Sequence, residues 1–247
     1  MNMHILKKCT LSAVTSIALL IPSIQQLPTF TSHAATHHAH DQDDSDVLIQ
    51  FHVQNTTTGV YKSIAQLTFN GLNATGFVVG PNTIVTNKHV VEKIESSLTA
   101  YPAVNGRDHP PFGSYQYSSH LTIPTGEDLA LIYLHPDTYT HKSIGDVVPP
   151  LKLTDTSRSA VGDSIRIIGY PNGKPRATMW ESQGPILELN KRIGYHLDTA
   201  PGSSGSPVLN TNGEVIGVHA THLTHSADRH AVAFTPEVLQ FIQSNIR

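Results

Sequence analysis

Apolar residues fall along this chain in short runs. Stretches rich in Val, Ile, Leu and Thr cover 64–69, 75–79, 83–86, 129–134, 164–168, 178–181, 193–197, 214–219 and 231–234. Between them lie turn-forming pairs such as Asn70-Gly71, Pro81-Asn82 and Asn172-Gly173. Runs of this length closed by such signals predict β-strands, and a succession of them predicts an all-β barrel or sandwich. One segment follows a different period. Val238, Phe241, Ile242 and Ile246 recur at three- and four-residue spacings behind Thr235, a capping residue, and Pro236, which suits the first helical position, so the tail is predicted as an α-helix. The stretch 98–126, rich in Pro, Gly, Ser and Tyr, reads as a long irregular connection, and no internal repeat is visible.

A further apolar run, 11–21, stands behind Lys7 and Lys8 and is too short to span a bilayer. With small residues at Ser32 and Ala34 it predicts a secretory signal peptide over 1–34. The next twelve residues, 35–46, read ATHHAHDQDDSD, hold no apolar residue larger than Ala, and are expected to be a disordered leader or pro-segment. The folded domain is assigned to 47–247. Removing 34 of 247 residues leaves 213, enough for one large domain or two small barrels sharing an interface. The single cysteine, Cys9, falls inside the signal, so the exported chain has no disulfide, which fits a bacterium exporting to its medium. The signal holds two of the 16 Lys plus Arg and none of the 19 acids, which leaves 14 basic against 19 acidic residues. No basic patch points to nucleic acid, and no second apolar run points to a membrane.

The segment Pro201-Gly202-Ser203-Ser204-Gly205-Ser206-Pro207 lies between two predicted strands. By itself it reads as an ordinary Gly/Ser turn. A serine nucleophile, however, needs a base for its proton and backbone donors for the developing oxyanion, and glycines around Ser204 let the N–H groups of Gly202 and Ser204 aim at one point. His89 follows a strand in Thr86-Asn87-Lys88-His89-Val90-Val91, and Asp128 opens the apolar run Asp-Leu-Ala-Leu-Ile. The order His, Asp, Ser is that of chymotrypsin, and a hydrolase G-x-S-x-G elbow would need glycine where Ser206 stands. Glu127 rivals Asp128 as the acid. An apolar strand starting at Asp128 favours the aspartate as the buried partner of the imidazole.

The segments TNKHVV, GEDLALI, GYPNGKPRATMWES and PGSSGSPVLN resemble the staphylococcal glutamyl endopeptidase family, which includes the exfoliative toxins and the Spl-type proteases. The resemblance runs from about Val60 to Arg247. It implies two six-stranded antiparallel β-barrels with the active site between them, a C-terminal α-helix, and no metal or other cofactor. It implies a triad of His89, Asp128 and Ser204, and an oxyanion hole of Gly202 and Ser204. Pro201-Gly202 follows the toxin pattern, in which the oxyanion peptide can sit flipped at rest. In this family a substrate glutamate is read at positions that here hold Thr199 and His219. Two positions depart: His222 stands where the toxins carry lysine, and Asp198 stands where trypsin-like enzymes select Lys or Arg. The function expected is a secreted, monomeric serine endopeptidase that cuts extracellular proteins or peptides after glutamate, with an exfoliative-toxin-like role in virulence. The alternatives are the same fold with basic or neutral specificity, and a catalytically weak binding module.

A metal-binding reading competes through His37, His38 and His40 and through His219, His222 and His225 at three-residue spacing. No H-E-x-x-H accompanies them, the first cluster lies in the polar leader, and no metal site is expected.

Overall fold

The computed structural model describes residues 49–106, 109–220 and 229–247. The signal and leader segments and His222 lie outside the described residues. Six strands form a closed barrel: β2 (Ile64–Phe69), β3 (Leu72–Val78), β4 (Thr83–Thr86), β5 (Thr99–Pro102), β6 (Tyr115–Thr122) and β7 (Ala130–Leu134), ordered β2-β3-β4-β7-β6-β5 with every pairing antiparallel. The second sheet has the order β1-β9-β8-β12-β13-β14-β11-β10. Its strands are β1 (Gln50–His52), β8 (Ser164–Gly169), β9 (Trp180–Pro185), β10 (Glu188–Leu189), β11 (Arg192–Tyr195), β12 (Pro207–Leu209), β13 (Val215–Ala220) and β14 (Arg229–Ala233). Its middle six strands take the place of the second barrel expected but form a curled half-barrel that is not closed by strand pairing, and β1 and β10 extend the sheet at its two ends. Among the described residues there are three short α-helices, α1 (Lys88–Val91), α2 (Ile144–Val147) and α3 (Pro236–Ser244).

The apolar runs are continuous because both faces of these strands are covered. Along β7, Ala130, Ile132 and Leu134 fill the barrel interior with Leu67, Ile84 and Ala100. Leu131 and Tyr133 point the other way, into a cluster with Phe77, Val85, Tyr170, Val218 and Phe234 that joins the two sheets. Ile165, Ile167, Ile193, Val208 and Ile216 form the core of the second sheet. Asn70 and Gly71 form the two-residue turn of the β2–β3 hairpin, both at positive φ (49° and 74°), the conformation that hairpin twist favours and Asn-Gly tolerates. At α3, Thr235 Oγ1 accepts from Val238 N and Pro236 opens the helix, as predicted.

The stretch expected to be irregular, 98–126, contains β5 and β6. Their side chains alternate between buried and more exposed, so each strand covers the core with one face and presents polar residues on the other. Such half-buried strands carry few large apolar residues and leave no run to detect.

Candidate active site

Strand register brings the first two site residues together. In the β4–β7 pair Thr86 lies opposite Ala130, so the chain just past β4 meets the chain just before β7. His89, on the single turn of α1, thereby faces Asp128. One carboxylate oxygen accepts from the His89 backbone N–H at 2.9 Å and the other lies 2.6 Å from His89 Nδ1. Asn87 Nδ2 holds the Asp128 carbonyl at 2.8 Å. A carboxylate gripped from two directions fixes the imidazole plane and favours the tautomer with its proton on Nδ1, leaving the Nε2 lone pair to act as a base. Glu127 instead accepts from Thr125 Oγ1 at an exposed turn, away from the imidazole.

Ser204 lies between β11 and β12 and is buried. Its loop is fastened to the first barrel by Thr75 of β3. The Thr75 N–H donates to Ser204 O at 2.8 Å, and its hydroxyl donates to Gly202 O at 2.8 Å while accepting from Tyr170 N at 3.0 Å. Gly205 is required here: its φ is +87° and an added Cβ would stand 2.0 Å from Thr75 O and 2.3 Å from Thr86 Oγ1. Gly202 (φ +97°) is equally constrained, with Tyr170 O 2.5 Å from an added Cβ. The Ser204 hydroxyl makes no hydrogen bond to His89 among the described residues. In unliganded sites such contacts are often long and tighten around substrate.

The orientation of the oxyanion peptide can be read from its carbonyl. Pro201 O accepts from Asn172 N at 2.6 Å, which turns the Gly202 N–H to the opposite side. Among the described residues neither Gly202 N–H nor Ser204 N–H donates a hydrogen bond, so both donors remain available to an incoming anion. The flipped peptide is therefore not adopted here.

His219, on β13, is fully buried, with Nδ1 2.5 Å from the Tyr195 hydroxyl. Burial, reinforced by Arg229, His89 and His230, lowers its pKa to about 3, so the ring is neutral at ordinary pH. Burial likewise raises the Tyr195 phenol well above its usual value, so that group keeps its proton to donate. Thr199 is buried and its hydroxyl has no hydrogen-bond partner among the described residues. The backbone carbonyl of Asp198 accepts from Gln50 Nε2 at 3.0 Å and from Ser182 Oγ at 2.6 Å. Thr75 and Tyr195 were not singled out from the sequence, because a threonine within a strand and a tyrosine at a strand end read as ordinary β-residues. Among the described residues no group of His, Cys, Asp and Glu is arranged to hold a metal ion.

Residues 74–218 match the family described as trypsin-like peptidase domain. The chain belongs to the trypsin-like peptidase family. Within it, the chain is 36% identical over 203 residues to the glutamyl endopeptidase of Staphylococcus aureus strain MW2, covering 78% of this chain and 61% of that one. It is 32% identical over 200 residues to the glutamyl endopeptidase of Staphylococcus epidermidis, covering 78% of this chain and 70% of the relative. The chain thus spans about three-fifths of the length of the S. aureus relative. A solved structure of a Glu endopeptidase in complex with MPD superposes with a TM-score of 0.71 at 26% identity, over 79% of this chain and 95% of that one. The protease Anisep from Arthrobacter nicotinovorans, at 18% identity and a TM-score of 0.62, shares the fold. Among the described residues no helix is long and apolar enough to cross a membrane.

Proposed function

We propose that this protein is a serine endopeptidase in which Ser204 attacks the scissile carbonyl and His89 takes its proton and returns it to the leaving amine. Asp128 holds the imidazole and stabilises its protonated form, and the N–H groups of Gly202 and Ser204 receive the oxyanion. The observation that carries this reading is the two-point grip of Asp128 on His89 beside a nucleophile loop whose two inward N–H groups are unengaged. A fluorophosphonate probe tests it: the wild type is expected to be labelled at Ser204 and Ser204→Ala not at all. Turnover is expected to fall by about 10⁴ to 10⁶ in that variant. Near-wild-type hydrolysis by purified Ser204→Ala would refute the assignment.

The substrate is proposed to be cut after glutamate. A buried hydroxyl without a partner and a neutral, buried imidazole both supply donors, which a carboxylate needs when it leaves water. The names of the staphylococcal relatives point the same way. A second reading, cleavage after Lys or Arg, is favoured by Asp198, whose carboxylate has no partner among the described residues. A peptide library separates the two, since cuts mainly after basic residues would overturn the glutamate reading and leave the triad untouched. Secretion is part of the proposal, with 1–34 removed on export and 35–46 a leader. N-terminal sequencing of the extracellular protein is expected to begin at Ala35 or later, before Ile49, and an intact Met1 there would refute it.

A further inference from the structure

A groove of about 790 Å³ opens between the β2–β3 turn and the loop 170–178. It lies beside the oxyanion loop, since Asn73 Nδ2 donates to Tyr170 O at 2.9 Å and Asn172 N donates to Pro201 O at 2.6 Å. Asn73, Tyr170 and Asn172 all line it. Neither Thr199 nor His219 does. On the peptidase reading a peptide bound across Ser204 has two halves, and the half read by Thr199 and His219 falls outside this groove, which neither residue lines. The half that departs with the leaving amine is left to occupy it.

Most of the polar lining is neutral, from asparagine, glutamine, serine and threonine side chains, and among the described residues the only charged groups lining it are Lys174 and Arg176. Neither cation has a carboxylate partner among the described residues. Lys174 is also held in place. Its ammonium sits 4.4 Å from the centre of the Trp180 ring, which is fixed in turn by a bond from Nε1 to Thr178 Oγ1 (2.8 Å) and by stacking on His52. Two cations without a carboxylate partner, one of them positioned in advance, make this an electropositive groove, and among the described residues no acid lines it to reject an anion.

We infer that this groove selects substrates carrying acidic residues on the leaving-group side of the scissile bond, with Lys174 and Arg176 as the selecting residues. The inference rests on the peptidase reading above and adds a second point of specificity to it. Because the cations are partly or largely exposed, each is expected to contribute a modest factor, and the pair together a preference of roughly three- to tenfold in kcat/KM for Glu over Ala on that side.

The test uses quenched-fluorescent peptides that share one acyl half, ending in the residue the library selects, and that carry Glu, Ala or Lys at the first or second position beyond the cut. The Glu-to-Ala ratio of kcat/KM is read within each protein. It is expected to exceed one in the wild type, to fall as salt is added, to approach one in K174A/R176A, and to drop below one in K174E/R176E, where the Lys peptide becomes the preferred substrate. A ratio of one in the wild type, or a preference unchanged in K174E/R176E, overturns the inference. A p-nitroanilide with the same acyl half tests the peptidase reading separately. Hydrolysis of it together with indifference to the leaving side sinks this inference alone, whereas failure to cleave any substrate overturns both.

Discussion

His219 carries its imidazole out of reach of solvent, where Tyr195 supplies a hydrogen bond and Arg229 adds a repelling charge. This has a consequence for stability. The unfolded ring takes up a proton near pH 6.5 and the folded ring only near 3. Between those values the unfolded chain binds more protons, so acidification favours unfolding. The contribution is complete above pH 6.5 and is lost as pH falls toward 3. At about 1.4 kcal/mol per pH unit, the protein is expected to lose on the order of 2–3 kcal/mol from this residue between pH 7.5 and 4.5. Urea denaturation at the two pH values measures the drop. His219→Gln, which keeps a partner for Tyr195 but does not titrate, should shrink it by that amount, and an unaltered drop in the variant would refute the assignment. The same neutrality means that the ring offers hydrogen bonds but no charge of its own near neutral pH.

At the scale of the elements, the site is assembled by strand register and by one threonine. Thr75 ties Ser204 O, Gly202 O and Tyr170 N together and offers its own carbonyl to Thr86 Oγ1 at 2.8 Å, so β3, β4 and the Ser204 loop share one network. Thr75→Val keeps the shape and the β-branch but strands Gly202 O and Tyr170 N. At roughly 1–3 kcal/mol for each buried orphan, a loss of about 2–6 kcal/mol is expected in urea denaturation. Turnover should fall by about ten- to a hundredfold as the oxyanion peptide shifts. An unchanged denaturation midpoint would show that the network bears no such strain. Thr75 also shows where the sequence stops being informative. His89, Asp128 and Ser204 announce themselves because each borders an apolar run or a glycine turn, and strands such as β2 and β4 match their predicted limits because both their faces are covered. Thr75 matters through residues far along the chain, and no local pattern encodes that. β5 and β6 were missed for a related reason: their burial on one face depends on closure of a barrel whose partners lie elsewhere. The extra strands β1 and β10, three and two residues long, are too short to carry a period at all.

For the whole molecule, the decisive geometry is the relation between the two sheets. His89 and Asp128 belong to the closed barrel, and Ser204 enters from the second sheet, so any loosening between them separates the proposed base from the proposed nucleophile. The contacts that resist this include the shared cluster around Phe77, Tyr170 and Phe234 and, at the far side, the end of α3. Val238 and Ile242 pack into that cluster. Beyond the helix the chain reaches back to the closed barrel. Tyr133 Oη donates to Asn245 O at 3.0 Å, Asn82 N donates to Arg247 O at 2.7 Å, and Thr83 Oγ1 both donates to Arg247 O and accepts from Arg247 N. The Arg247 guanidinium lies 3.9 Å from the centre of the Tyr133 ring, and Ile246 is packed so closely on Gly80 that an added Cβ there would fall 2.2 Å from it. These residues act as a strap from the second sheet to the first. Deleting 245–247 removes the four hydrogen bonds to the closed barrel, and at about 0.5–1.5 kcal/mol each the expected cost is roughly 3 kcal/mol. For a domain of this size that corresponds to a Tm lower by about 6–12 °C. Because the deleted residues are remote from Ser204, turnover at a temperature where the shortened protein is still folded should fall only if the strap sets the spacing of the sheets. Thermal denaturation together with fluorophosphonate labelling rates at 25 °C checks both parts. A lower Tm with an unchanged labelling rate would assign the strap to stability alone, and an unchanged Tm would refute its role altogether.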